Sequence, residues 1–213
     1  MLKLGRLQRR FSYATWTAPS HYNLLIGLLP HPSPNRIFAS THYKRDLARY
    51  SQRLGVSGIG FIDMLPQLWL PDYLRHTLGY TTHARVSLPV LNPATPINTG
   101  FDTFELLDRH NDLEAALGHL RFSPDRPSFW LINTGETHYP YATAEEPESE
   151  WPRLHGVHGV FRELSHGRPL HRSQAPAFFE QRKLDRLHAR QIRAVSAIDD
   201  IVAQLYEQAL CSA

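Results

Sequence analysis

A single cysteine, Cys211, stands two places from the end of the 213 residues, so no intrachain disulfide can form. That excludes a disulfide-stapled fold and predicts a reducing, cytoplasmic compartment. No apolar run is long enough to span a membrane or to serve as the core of a signal peptide. Lysine and arginine number 23 against 20 acidic residues, a net charge of +3, and they never gather into a block. A nucleic-acid-binding stripe is therefore not expected. The basic start, Lys3, Arg6, Arg9 and Arg10, reads as the solvated face of a helix. Internal repeats and low-complexity tracts are lacking. So are carboxylates at metal spacing, because the adjacent Asp199 and Asp200 leave a helix in different directions. His155, His158, His166 and His171 are irregularly spaced without a helping cysteine, and are expected on a solvated loop.

What is present suits a folded domain. With 42% apolar and 20% charged residues the chain can bury a core, and its length favours one domain over 1–213. Helices are expected over 2–10, 19–29, 46–54, 68–78, 111–122 and 178–210. The fourth has Pro71 near its start and Gly79 at its end. Residues 80–88 alternate and are rich in threonine and valine, and 128–133 form a short apolar run. Both read as strands, with prolines marking 31–36 and 89–100 as loops. FSYATW (11–16) is β-prone, and 142–176 reads as a polar surface excursion. Helices alternating with buried strands predict an α/β fold, a mostly parallel sheet with flanking helices.

The chemistry concentrates in Thr17–His31, TAPSHYNLLIGLLPH. Pro19 fits a first helical turn, where its missing N–H is not needed, and Thr17 or Ser20 can satisfy exposed amides there. Side-chain oxygens so placed face the positive end of the helix dipole, which favours phosphate or sulfate. The alternative is an ordinary capped amphipathic helix with Leu24, Leu25, Leu28 and Leu29 in the core. A second segment, FWLINTGETHYPY (129–141), places His138 where a buried strand empties into a loop, the edge at which open α/β sheets bind ligands. The plainer alternative is a loop histidine bonded to backbone.

The first segment resembles the nucleophile signature of the sulfatases in the alkaline phosphatase superfamily, C/S-x-P-S-R-x-x-L-x-x-G followed by a proline. Thr17 stands at the nucleophile position, with Pro19, Ser20, Leu24, Gly27 and Pro30 at matching places and His21 where the family has arginine. His138 and Pro140 are similar to the family's H-x-P, whose histidine contacts the ester oxygens, and Glu136 could orient it or reach a metal. GYTTHARVSLP followed by GFDTF resembles a further framework stretch. There, Ser87 and Pro89 stand where the family carries a lysine and a histidine. The closing segment 185–205 is similar to the helix that precedes the family's last metal-binding strand.

The resemblance implies an alkaline-phosphatase-like α/β fold, partial because the paired-aspartate strand would lie before Met1 and the D-H-G-E-like run after Ala213. It implies a divalent metal, calcium or magnesium with manganese or zinc as alternatives, for which Thr17 and Glu136 are the nameable ligands. Threonine cannot become formylglycine, so phosphoryl transfer is favoured over sulfate hydrolysis. The expected roles are Thr17 and His138 as catalytic residues and Ser20 and His21 as substrate-binding, acting on a small phosphate or sulfate ester. The alternative is a catalytically inactive sulfatase-fold domain that binds or scaffolds, with a partner chain completing the fold.

Overall fold

In the computed structural model, the described residues are 17–27, 55, 68–118, 120–152 and 181–211. The expected helices over 2–10 and 46–54, the FSYATW stretch, the 31–36 loop and the four histidines between 155 and 171 lie outside them. The chain divides into two compact units. One takes in Met1–His110 and Ala115–Asn133, the other Asn111–Glu114 and Thr134–Ala213.

The first unit is built on a three-stranded, all-parallel sheet in the order β2-β1-β3. β1 (Thr81–Val86) owes its central place to its alternation: Thr82, Ala84 and Val86 are buried, while Thr81, His83 and Arg85 are half-buried. β3 (Ser128–Asn133) falls where the apolar run SFWLIN predicts it, paired from Thr81 opposite Ser128 to Val86 opposite Asn133. β2 (Thr103–Leu106) is the strand that sequence pattern does not announce. Its start is set by Asp102, whose carboxylate accepts the Thr82 amide at 2.8 Å and whose own amide donates to the Thr82 carbonyl at 2.7 Å. The expected loop between β1 and β2 contains two 3-10 turns, Pro89–Leu91 and Pro96–Asn98.

Two helices flank this sheet. α1 (Thr17–Ile26) is shifted from the expected 19–29. It buries Tyr22 and Leu25, but Leu24 is 62% exposed, so the alternative reading that put both leucines in the core holds for Leu25 and not for Leu24. One residue apart, Leu24 and Leu25 are turned about 100° from each other around the helix, and only Leu25 faces the core here. Tyr22 packs on the fully buried Trp69, ring centres 5.7 Å apart, and together with Leu91, Ile97 and Val86 they form the core. α2 (Leu70–Leu78) begins with Pro71 in its first turn and ends at Gly79, as expected. Gly79 adopts φ 72°, the left-handed conformation that glycine tolerates best.

The helix expected over 111–122 is cut to α3 (Leu113–Gly118). Arg85 holds the carbonyls of Ala115 and Ala116 at 3.1 and 3.2 Å, as a cation does near a helix C-terminus. In the second unit, α4 (Gln181–Cys211) is the long closing helix. Leu187 and Ala194 on it are buried, and Arg190 ties it to the 134–152 segment through the Pro140 carbonyl and Glu146, at 3.2 and 2.6 Å. Among the described residues, no helix is long and apolar enough to cross a membrane.

Candidate functional site

Thr17, Ser20 and His21 all lie on α1 in the first unit, over its first turn and a half. His21 folds back one turn, its Nδ1 2.8 Å from the Thr17 carbonyl. A carbonyl only accepts, so Nδ1 carries the proton and the neutral ring offers its lone pair at Nε2. Burial pushes the His21 imidazole below its ordinary value, although the bond to Thr17 works in the opposite direction. The ring is therefore uncharged at neutral pH. It can receive a proton or coordinate, but it does not supply the permanent charge of the arginine found at this place in the sulfatase signature.

The carboxyl edge of β1 and β3 lies in the same unit. With strand order β2-β1-β3, the chain turns one way from β1 to β2 and then crosses to β3, which makes the β1/β3 edge the topological switch point. Ser87, at the family's lysine position, is buried there, and its hydroxyl donates to the Asn133 carbonyl at 2.8 Å. The Asn133 side-chain oxygen in turn accepts the Ser87 and Leu88 amides, each at 3.3 Å. Pro89 opens a 3-10 turn and is exposed. These residues close the edge with polar bonds and leave no cationic grip at either family position.

His83 and Arg85 on β1 are also engaged. His83 stacks on Trp130 with ring centres 4.4 Å apart, and its Nδ1 lies 2.8 Å from the Thr103 hydroxyl. Arg85 pairs with Glu105 at 2.6 Å, its cross-strand neighbour. Beside them, Asp102 gathers the Thr82 amide and hydroxyl and the Arg75 guanidinium, the last at 2.8 Å. Burial alone would raise the Asp102 carboxyl, but the Thr82 amide, Arg75, the Thr82 hydroxyl and His83 together outweigh it. They hold the group below the usual carboxylate range.

Glu136 and His138 lie in the second unit. Glu136 is 2% exposed, and both its oxygens are occupied: one accepts the amide of Leu113, the first residue of α3, at 2.6 Å, and the other accepts the Thr134 hydroxyl. It thus satisfies an orphan amide at a helix start. His138 is exposed, and its Nδ1 donates to the Tyr139 carbonyl at 2.8 Å, leaving Nε2 as the accepting nitrogen. The turn around it is closed by the His138 amide on the Gly135 carbonyl and the Tyr141 amide on the His138 carbonyl, at 2.9 and 2.7 Å.

Sequence spacing did not reveal a half-open cleft of about 510 Å³ in this unit. Its walls include Leu113, Glu136, Thr143, Arg193, Asp200 and Ile201, brought together from segments up to 88 positions apart. Asp200, expected to leave its helix in a different direction from Asp199, lines this cleft. Among the described residues, no group of three or more histidine, cysteine, aspartate or glutamate side chains is placed to hold a metal ion. Both Glu136 oxygens are bonded within the protein, so Glu136 would have to give up one of these bonds to reach a metal ion.

No known protein family, curated protein or solved structure matches the chain. The likeness to sulfatases rests on the quoted motif residues alone.

Proposed function

We propose that the chain is a sulfatase-like domain that acts on a small phosphate or sulfate ester, with the Thr17 hydroxyl as nucleophile. The observation that carries this reading is the His21 imidazole, neutral and fixed by its Nδ1–H to the Thr17 carbonyl at 2.8 Å. Positions four apart on a helix are surface neighbours, so a base with a free Nε2 belongs to the same turn as the hydroxyl it would deprotonate. In the proposed step Thr17 Oγ bonds to phosphorus or sulfur as the bond to the ester's alkoxide breaks. The hydroxyl proton, taken up by His21 Nε2, passes to that alkoxide, which leaves as the alcohol. Ser20 and the amides at the head of α1 offer hydrogen bonds to the ester's oxygens. The reading includes a divalent metal, but no step is routed through it. It also includes a cytoplasmic location, supported by the single cysteine.

One observation favours a second reading, a catalytically inactive domain that binds or scaffolds, with a partner chain completing it. Ser87 is buried and locked to Asn133 at the position where the family uses a lysine, and Pro89 replaces its histidine.

Turnover of aryl phosphate, phosphodiester and aryl sulfate esters, with calcium, magnesium, manganese or zinc added in turn, separates the two. The enzymatic reading expects activity abolished in Thr17→Ala and lowered about 10²–10⁴-fold in His21→Gln, the usual contribution of a positioned base. Equal background in the folded wild type and Thr17→Ala would establish the binding reading instead.

A further inference from the structure

We propose that α4 is a self-association surface on which a second copy of this chain docks antiparallel. The observation is independent of any catalytic reading.

α4 turns one side inward through Leu187 and Ala194, and the neighbouring side carries exposed apolar side chains beside His188 and Asp199. Ile192 is 58% exposed, Val195 46% and Tyr206 41%. Ala189, Ser196 and Ala203, also exposed, continue this face at seven-residue spacing, small enough for a second helix to approach closely. Apolar side chains this exposed on a helix whose other side is already packed offer a surface to a second helix.

The charges identify the occupant. Arg186, Arg193, Asp200 and Glu207 recur every seven residues and so form one line bordering that face. The line is basic in its first half and acidic in its second. The whole helix follows the same polarity: Arg182, Lys183, Arg186, Arg190 and Arg193 precede position 194 with Asp185 as the one acid, whereas Asp199, Asp200 and Glu207 follow it with no lysine or arginine. There is no acidic residue in the first turn and no basic residue in the last. This polarity opposes the helix dipole, which favours anions at the N-terminus and cations at the C-terminus. It therefore does not serve the isolated helix. It does serve an antiparallel copy, because a two-fold axis near 196–197 lays the same border of each helix alongside the other. Arg186 then faces Glu207 of the second copy and Arg193 faces Asp200, each pair twice by symmetry. Ile192 and Val195 come to lie in the same contact, and the opposed dipoles favour the pairing. Arg193 reaches Glu146 only at 4.0 Å and is 60% exposed, so it is available.

The test is the solution mass of the full chain by light scattering over a concentration series, with helix content followed by circular dichroism. The wild type is expected to approach twice 24.5 kDa, and to dissociate as salt screens the flanking pairs. Arg186→Glu/Arg193→Glu makes the line wholly acidic and should weaken self-association about tenfold or more at low salt. Asp200→Arg/Glu207→Arg makes it wholly basic and should do the same. Mixing the two variants should restore a dimer containing one of each. The fourfold exchange, which reverses the polarity while keeping it self-complementary, should dimerise alone and covers the case in which a double variant does not fold. A wild type that stays monomeric throughout, or a dimer unchanged by both double variants, overturns the proposal.

Discussion

Glu136 and His21 show how one side chain can carry both a chemical reading and a structural duty. A glutamate just after a buried strand looks like a ligand, yet this one is 2% exposed and spends one oxygen on the Leu113 amide and the other on the Thr134 hydroxyl. Its removal strands a buried amide at the start of α3. Glu136→Ala should therefore lower unfolding stability by about 1–2 kcal/mol, and Glu136→Gln, which keeps an accepting oxygen, by less. The urea midpoint measures both, and a midpoint unchanged in Glu136→Ala would remove the capping role. His21 differs because its Nδ1–H bond leaves the other ring nitrogen uncommitted by that contact.

At the scale of elements, α2 and the turn leading to β2 approach each other closely. Gly100 has φ 77°, and a Cβ there would sit 2.6 Å from the backbone nitrogen of Asp72 in the first turn of α2. Backbone cannot step aside as a flexible side chain can. The Gly100 carbonyl also accepts the Thr82 hydroxyl at 2.8 Å, so any shift disturbs the β1 anchor. Gly100→Ala combines a disfavoured backbone conformation with a clash, and should cost about 1–3 kcal/mol. The thermal midpoint checks this. An alanine variant as stable as the wild type would mean that α2 is free to move away from this turn.

For the whole molecule, the shifted groups among the described residues, His21, His83 and Asp102, contribute to the acid side of the stability curve, His83 with the same direction as His21 and chiefly through burial. His21 is held below 6.5, its ordinary value, chiefly by burial, so the folded chain takes up its proton later than the unfolded chain. The resulting stability is complete above 6.5 and is lost as the pH falls through the lowered folded value. Asp102, depressed from 3.8, has the same sign in a more acidic window, with its contribution complete above 3.8 and lost below it. Thermal midpoints followed downward in pH should thus fall in two stages. His21→Asn should flatten the first and Asp102→Asn the second. An unchanged first stage in His21→Asn would assign that loss to another group.

Elements whose signals are local are legible in the amino-acid order. The apolar run SFWLIN marked β3 at its observed bounds, the Thr81–Val86 alternation marked β1, and Pro71 with Gly79 bracketed α2. Periodicity and terminal residues act within a few positions, so they can be read without the fold. That alternation of elements pointed to an α/β fold with a mostly parallel sheet, and the three strands pair all in parallel. Only the tertiary structure decided β2, a four-residue strand whose alignment rests on Asp102 meeting Thr82 twenty positions away. It also decided that Leu25 is buried while Leu24 is exposed, since both fit the same helical pattern until a neighbour such as Trp69 chooses the face. The second-unit cleft and the roles of Ser87, Arg85 and Glu136 belong to the same class. Each depends on partners far along the chain, and residue type alone cannot tell a grip on a ligand from a hydrogen bond to the protein's own backbone.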